Sequence, residues 1–174
     1  MNEVLRNIKE RRSVRKFKPV MPDKKLLDEI AEAGLWAASG KGRQATKTIV
    51  VTNPAARKMI VEANRAIGGW GEGFDPFYGA PAILVVLFDK SCFTGIYDGS
   101  LVMGNMMLAA HSLGLGSIWI HRAKEEFESE EGKEILKQLG IEGDYEGIGN
   151  LILGYAAKPA GQAAPRKADY VYTL

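Results

Sequence analysis

The chain has little of what builds reactive protein sites. It carries one cysteine, Cys92, and two histidines, His111 and His121, among 174 residues. A single thiol excludes an internal disulfide framework. Cys92 also lacks a C-x-x-C partner or an adjacent histidine that would make it a nucleophile. Two isolated histidines are too few for a clustered metal site. There is no G-x-S-x-G motif, and the glycine-rich segment Gly68 to Gly79 contains no G-x-G-x-x-G. Long apolar runs are missing too. The longest, Leu101 to Leu113, would extend about 20 Å as a helix, against a hydrocarbon core of about 30 Å, so no membrane span is expected. MNEVLRNIKE has no apolar core of a leader peptide, which makes the cytoplasm the expected location. An enzyme without an evident nucleophile, base or metal borrows its chemistry from a cofactor, or the chain is not an enzyme.

Net charge is only +2, which excludes a globally polybasic protein, but the charge is unevenly placed. Nine Lys or Arg fall between Arg6 and Lys25, against Glu10 and Asp23. Within that segment stands RRSVRKF, Arg11 to Phe17. In an extended chain Arg11, Ser13 and Arg15 share one side. Two guanidinium forks and a hydroxyl suit an anion such as a phosphate. A solvated basic surface is the plain alternative. The loop Ala38 to Gln44 is small and basic. It imitates a phosphate loop but fails, because Gly34 to Gly40 is one residue too long and Gly42 stands where Ser or Thr binds magnesium.

Periodicity lays out the elements. Helices are expected at Glu3–Glu10, at Lys24–Ala37 with Asp23 as cap, at Ala55–Ala66 and at Glu125–Leu139. Strands are expected at Thr46–Thr52, Ala82–Phe88, Ser117–Ile120 and Leu151–Tyr155. Asp98 to Arg122, DGSLVMGNMMLAAHSLGLGSIWIHR, is the organising stretch. Its helix is apolar on nearly every side, with Asp98 or its neighbours as cap and Gly114 and Gly116 ending it, so it must be buried on nearly every side. His111 in that helix reads as a core residue, whereas His121, just past a buried strand, is a candidate to face a site. Gly104, Ala109 and Ala110 let another helix come close. The aromatics Trp70, Phe74, Phe77 and Tyr78 line a pocket edge or pack on their own domain. The tail Tyr170 to Thr173 alternates like a strand and lies too far from its neighbours for a hairpin, so pairing with another chain is open. Four apolar strands between helices give one three-layer α/β/α domain.

In order along the chain, RRSVRKF, WAASGKGRQ, GAPAILVV, GNMMLAAHSLGLGSIWI and LGYAAKP followed by a basic pair together resemble the FMN-dependent nitroreductase family, as a compact member. The resemblance implies an α+β fold over residues 1–174, a central mixed sheet with flanking helices, and a homodimer through the central helix with two FMN sites at the interface. It implies that residues 159–174 form an arm reaching the partner. Arg11, Arg12 and Ser13 are then expected at the FMN phosphate and ribityl end, and Arg15 at the pyrimidine edge. Arg166 and Lys167 would add phosphate contacts. Ser39, Lys41 and Arg43 would come from the other subunit, and Ile118, Trp119, Ile120 and His121 would cover the ring system. No catalytic side chain is implied. The expected reaction is ping-pong hydride transfer from NAD(P)H to a nitroaromatic, quinone or similar small acceptor.

Two departures stand out. The family's loop often has Pro before Ser and Asn before Gln, where this chain has Ala38 and Arg43. After Ile120 an acidic or small residue is common, and here His121 and Arg122 follow. Lys41, Arg43, His121 and Arg122 make the mouth more cationic, which suits an anionic substrate or NADPH. Other flavin chemistry on the same fold and a flavin store without turnover remain alternatives. A nucleic-acid module is disfavoured, because only Phe17 interleaves the basic run.

Overall fold

Two strands carry the core. Ala82–Asp89 and Tyr145–Gly154 are the middle pair of a four-stranded sheet, and from Ala82 to Phe88 every residue is buried. In chain order the strands are β1 (Thr46–Val51), β2 (Ala82–Asp89), β3 (Gly116–Ile120) and β4 (Tyr145–Gly154), arranged β1-β2-β4-β3 with every neighbouring pair antiparallel. The continuous apolar runs follow from cover on both faces. Ile83, Val85, Leu87 and Ile152 pack on one side, and Leu84, Val86, Leu151 and Leu153 on the other. The computed structural model describes all of residues 1–174.

Helices close both faces, giving the three-layer α+β arrangement. The second face is covered by α2 (Lys24–Leu35), through Leu27 and Ile30, and by α4 (Gly95–Ser112), through Val102, Met103 and Met106. The first is covered by α3 (Pro54–Ile67), α5 (Ala123–Glu128) and α6 (Glu130–Gln138). The short α1 (Glu3–Glu10) is tied to α4 by Asn7 Nδ2, which donates to Leu108 O at 2.9 Å. The sheet is therefore antiparallel rather than mixed as expected, and the one parallel pairing is an isolated bridge outside its strands, Ser13 with Ser117. No helix is long and apolar enough to cross a membrane.

Several boundaries differ from the sequence expectations. The central helix begins at Gly95, three residues before Asp98. Asp98 is not its cap. Its buried carboxylate accepts from Gly40 N (3.1 and 3.2 Å) and Thr94 Oγ1 (3.1 Å), tying the Ser39–Gln44 loop to α4. Nor is α4 buried all round in one chain, since Ile96, Tyr97 and Leu101 are exposed. The helix expected over 125–139 is split at Ser129, whose extended backbone starts a new helix and whose Oγ accepts from Gly132 N at 3.1 Å. The tail has no regular structure, and residues 157–174 are exposed.

β4 carries an irregularity opposite Val86 and Leu87, which pair with Gly149 and Gly147 and leave Ile148 as an extra residue. Such a bulge re-aims the strand. Gly147 lies directly against the backbone of Ala123 and Lys124, so its missing side chain is what lets α5 seat on β4. Gly147→Ala is expected to destabilise the fold by about 3 kcal/mol, because backbone rather than a side-chain tip must move. Urea unfolding of the two proteins checks this, and an unchanged midpoint would contradict it.

Candidate functional site

Past α1 the chain does not alternate as a plain extended segment. Arg12 Nη1 turns back to donate to Lys9 O (2.7 Å) and Arg11 O (2.6 Å), using carbonyls that a helix end leaves free. This sets the Arg11 and Arg12 side chains together instead of on opposite sides. Val14 N then donates to Ser117 O at 3.1 Å, fastening the segment along the start of β3. Gly116 permits the contact, since a Cβ there would meet the Val14 side chain.

These pieces enclose a cavity of about 220 Å³, lined among others by Arg11, Arg12, His111, Gly116 and Ser117. Arg11 Nη1 and Arg12 Nε are buried and have no partner within the chain. Burial first, and the neighbouring Arg12 charge second, hold the Arg11 guanidinium below its ordinary pKa. Buried cationic N–H groups left without a partner are costly unless an anion completes them. His111 lines this cavity and is only half-buried, which corrects the expectation of a core histidine. Ser13 and Arg15 are exposed beside it, their side chains outside the cavity lining.

At its far end β3 is held by a buried polar group. Asn64 Nδ2 donates to His121 O (2.7 Å) and also to Glu126 Oε1. Asn150 Nδ2 donates to both Glu126 oxygens (3.1 and 2.9 Å). Burial pushes the Glu126 carboxyl up to about 7, against the opposing effect of the two amides. Arg122 adopts a left-handed backbone (φ 84°) and lays its guanidinium 4.6 Å from the Trp70 ring centre. The Trp70 and Phe74 rings meet at 5.1 Å, tilted by 45°, and Phe77 is a core residue, so these aromatics pack on their own domain. His121 is exposed, 5.9 Å from the Trp119 ring. Trp119, His121, Arg122, Lys124, Glu125 and Glu146 line an open hollow.

The remaining expected residues lie elsewhere. Ile118 and Ile120 are buried under β3, with Trp119 half-buried between them. Ser39 Oγ accepts from Gln44 N at 3.1 Å, closing a loop in which Lys41 (φ 55°) and Arg43 are exposed. That loop sits at the start of α4, whereas His111 is at its end. Asp98 and His111 are 13 residues apart, about 20 Å along the axis. Arg166 and Lys167 are exposed on the tail and touch neither place. Sequence reasoning missed Asn64, Glu126 and Asn150. The signal was present in Asn150, a polar residue inside the run Ile148 to Leu153.

An edge strand, a cavity lined by two arginines at its start and a rigidly held turn at its end mark an α+β protein with a candidate ligand site along that strand. The chain belongs to the nitroreductase family, whose sequence profile matches residues 8–69 and 71–155. It is similar to a nitroreductase with bound FMN from Desulfitobacterium hafniense (33% identity, TM-score 0.89) and to one with bound FMN from Bacteroides fragilis (28%, 0.88), each over 100% of both chains. A Methanothermobacter thermautotrophicus protein, provisionally named NADH dehydrogenase/NAD(P)H nitroreductase, is 32% identical over 126 residues, 67% of this chain. The match spans 60% of that relative's length.

The buried carboxylate carries a pH signature. In the unfolded chain Glu126 titrates near 4.5, and in the fold near 7. The stability it contributes is therefore fully present below about 4.5 and is lost as the pH rises through about 7, an effect of about 3 kcal/mol. Glu126→Gln is expected to remove that dependence and to exceed the wild type in stability at pH 8. Its amide can also donate to the unpaired Asn64 Oδ1 or Asn150 Oδ1. Urea melts of both proteins at pH 5 and pH 8 check this, and parallel pH profiles would contradict it.

Proposed function

We propose that this chain is an FMN-dependent NAD(P)H oxidoreductase acting as a homodimer. The observation that carries the reading is the pair of unpartnered, buried guanidinium nitrogens of Arg11 and Arg12 at the start of β3. They fit the cofactor's phosphate. From Ser117 to His121 the strand runs about 14 Å, and beyond Ser117 its outer edge has no strand partner. An extended ligand with its phosphate between the arginines lies along that edge and brings its rings to Trp119–His121. Ser13 adds a donor beside the phosphate, and Arg15 meets the pyrimidine edge, where a cation favours negative charge on the ring.

Bound FMN supplies hydride acceptance and delivery. The chain supplies place and charge. The Asn64–Glu126–Asn150 group fixes the His121 carbonyl and the turn behind it, and Trp119 and Arg122 shape the hollow in front. Reductant and acceptor occupy that hollow in turn, which gives ping-pong kinetics with nitroaromatic, quinone or similar conjugated acceptors. The cationic mouth expected from the sequence is offset here, because Glu125 and Glu146 line the same hollow and Lys124 is paired with Glu146 and Glu128. The NAD(P)H reductant is supplied in the cytoplasm, and we place the protein there.

One chain cannot complete this site. The Ser39–Arg43 loop stands about 20 Å of helix away from the phosphate cavity, so its Ser39, Lys41 and Arg43 reach a cofactor only across a dimer. The surface for that dimer is in view: Leu35, Trp36, Phe93, Ile96, Tyr97 and Leu101 are exposed around the start of α4. Gly104 has open space above it. An apolar surface of this extent on a charged chain marks an interface. The exposed arm, residues 159–174, reaches the partner and carries Arg166 and Lys167 towards phosphate.

Arg11→Ala is expected to weaken FMN binding roughly 100-fold, the loss of a charge-assisted contact to phosphate. Fluorescence titration with FMN measures it. An unchanged dissociation constant would place the cofactor elsewhere.

A further inference from the structure

Of the residues around the phosphate cavity, one has no role in the account so far. His111 lies in the last turn of α4, and its position there is fixed by packing. Leu108, three residues earlier, shares its helix face, and the Leu108 carbonyl is held by Asn7 of α1. The same face therefore meets the end of α1, where Arg11 and Arg12 turn. Gly114 (φ 77°) then reverses the chain, and Leu115 N donates to Ala110 O at 2.8 Å, so that β3 starts beside the end of α4. In the final turn the side-chain hydrogen bond is made by Ser112, to Ala109 O at 2.9 Å, and the His111 ring makes none.

We propose that His111 is a third ligand of the cofactor's phosphate, donating a ring N–H to a terminal oxygen. It makes the chain discriminate phosphorylated from unphosphorylated flavin. A phosphate monoester presents three terminal oxygens, and the cavity is lined by three donor groups with N–H atoms that have no partner in the chain: Arg11 Nη1, Arg12 Nε and the His111 ring. They stand on two separate elements, the segment after α1 and the end of α4, and line one cavity. Gly116 and Ser117 close the third side with small residues. The arginines supply attraction for any anion. The imidazole adds a directional donor from a second element, which favours a bound phosphate over a diffuse counterion.

This inference rests on the cofactor reading above, and its test separates the two. The dissociation constants of FMN and riboflavin are measured by fluorescence for the wild type, His111→Ala and His111→Gln, with inorganic phosphate added as competitor in a parallel series. Expected is a loss of about tenfold in FMN affinity for His111→Ala with riboflavin affinity unchanged, a smaller loss for His111→Gln, which keeps an N–H donor, and weaker competition by phosphate in the alanine variant. Equal loss for FMN and riboflavin would show a structural role only and overturn the proposal. So would no loss for either. A variant that fails to fold loses riboflavin as well, and the glutamine variant then decides the question by the FMN to riboflavin ratio alone. A wild type that binds neither flavin removes the cofactor reading itself, and the His111 role with it.

Discussion

A helix of 18 residues has ends about 27 Å apart, and the length of α4 governs what the rest of the chain can offer a ligand. Its buried face fills the space beside β2 and β4 through Val102, Met103 and Met106. Its start holds the Ser39–Gln44 loop through Asp98, and its end helps to wall the cavity that Arg11 and Arg12 leave uncompensated. In the proposed site neither end suffices alone. The exposed apolar residues near the start turn this separation into an argument for a second copy, because two chains packed along α4 bring the start of one near the end of the other.

β3 carries the account from anion to ring. It is an edge strand, so its outer side is free beyond the Ser117 bridge, and it is anchored at both ends by different physics. At the near end glycine permits a close approach, with Gly116 against Val14. At the far end a buried carboxylate with two amides holds the His121 carbonyl. That carboxylate is present because α5 seats on Gly147, so a bulge in β4 is mechanically connected to the turn in front of the proposed ring site. Burying a charge there lowers stability in exchange for rigidity at one carbonyl.

Much of this was legible in the residues. The run AILVVLF has no polar position, so both its faces had to be covered. RRSVRKF offered an anion site or a solvated basic surface, and the buried, unpartnered Arg11 Nη1 and Arg12 Nε favour the first. What stayed hidden depends on contacts distant in sequence. Asp98 looks like a helix cap, yet its carboxylate is claimed by Gly40, 58 residues away, and the helix starts earlier. Local propensity runs helical through Ser129, and the break comes from its cap on Gly132. Glu126, Asn64 and Asn150 lie 62 and 24 residues from one another, with nothing local to join them. His111 sits in a run so apolar that core was the natural reading, and only the reversal at Gly114 brings it to the arginines.

The most direct test of the central claim is the visible absorption spectrum of the purified protein, taken anaerobically before and after addition of NAD(P)H and again after a quinone. The account predicts a bound flavin spectrum that bleaches with the reductant and returns with the acceptor. A protein that carries no flavin, and takes none up from added FMN, would contradict it.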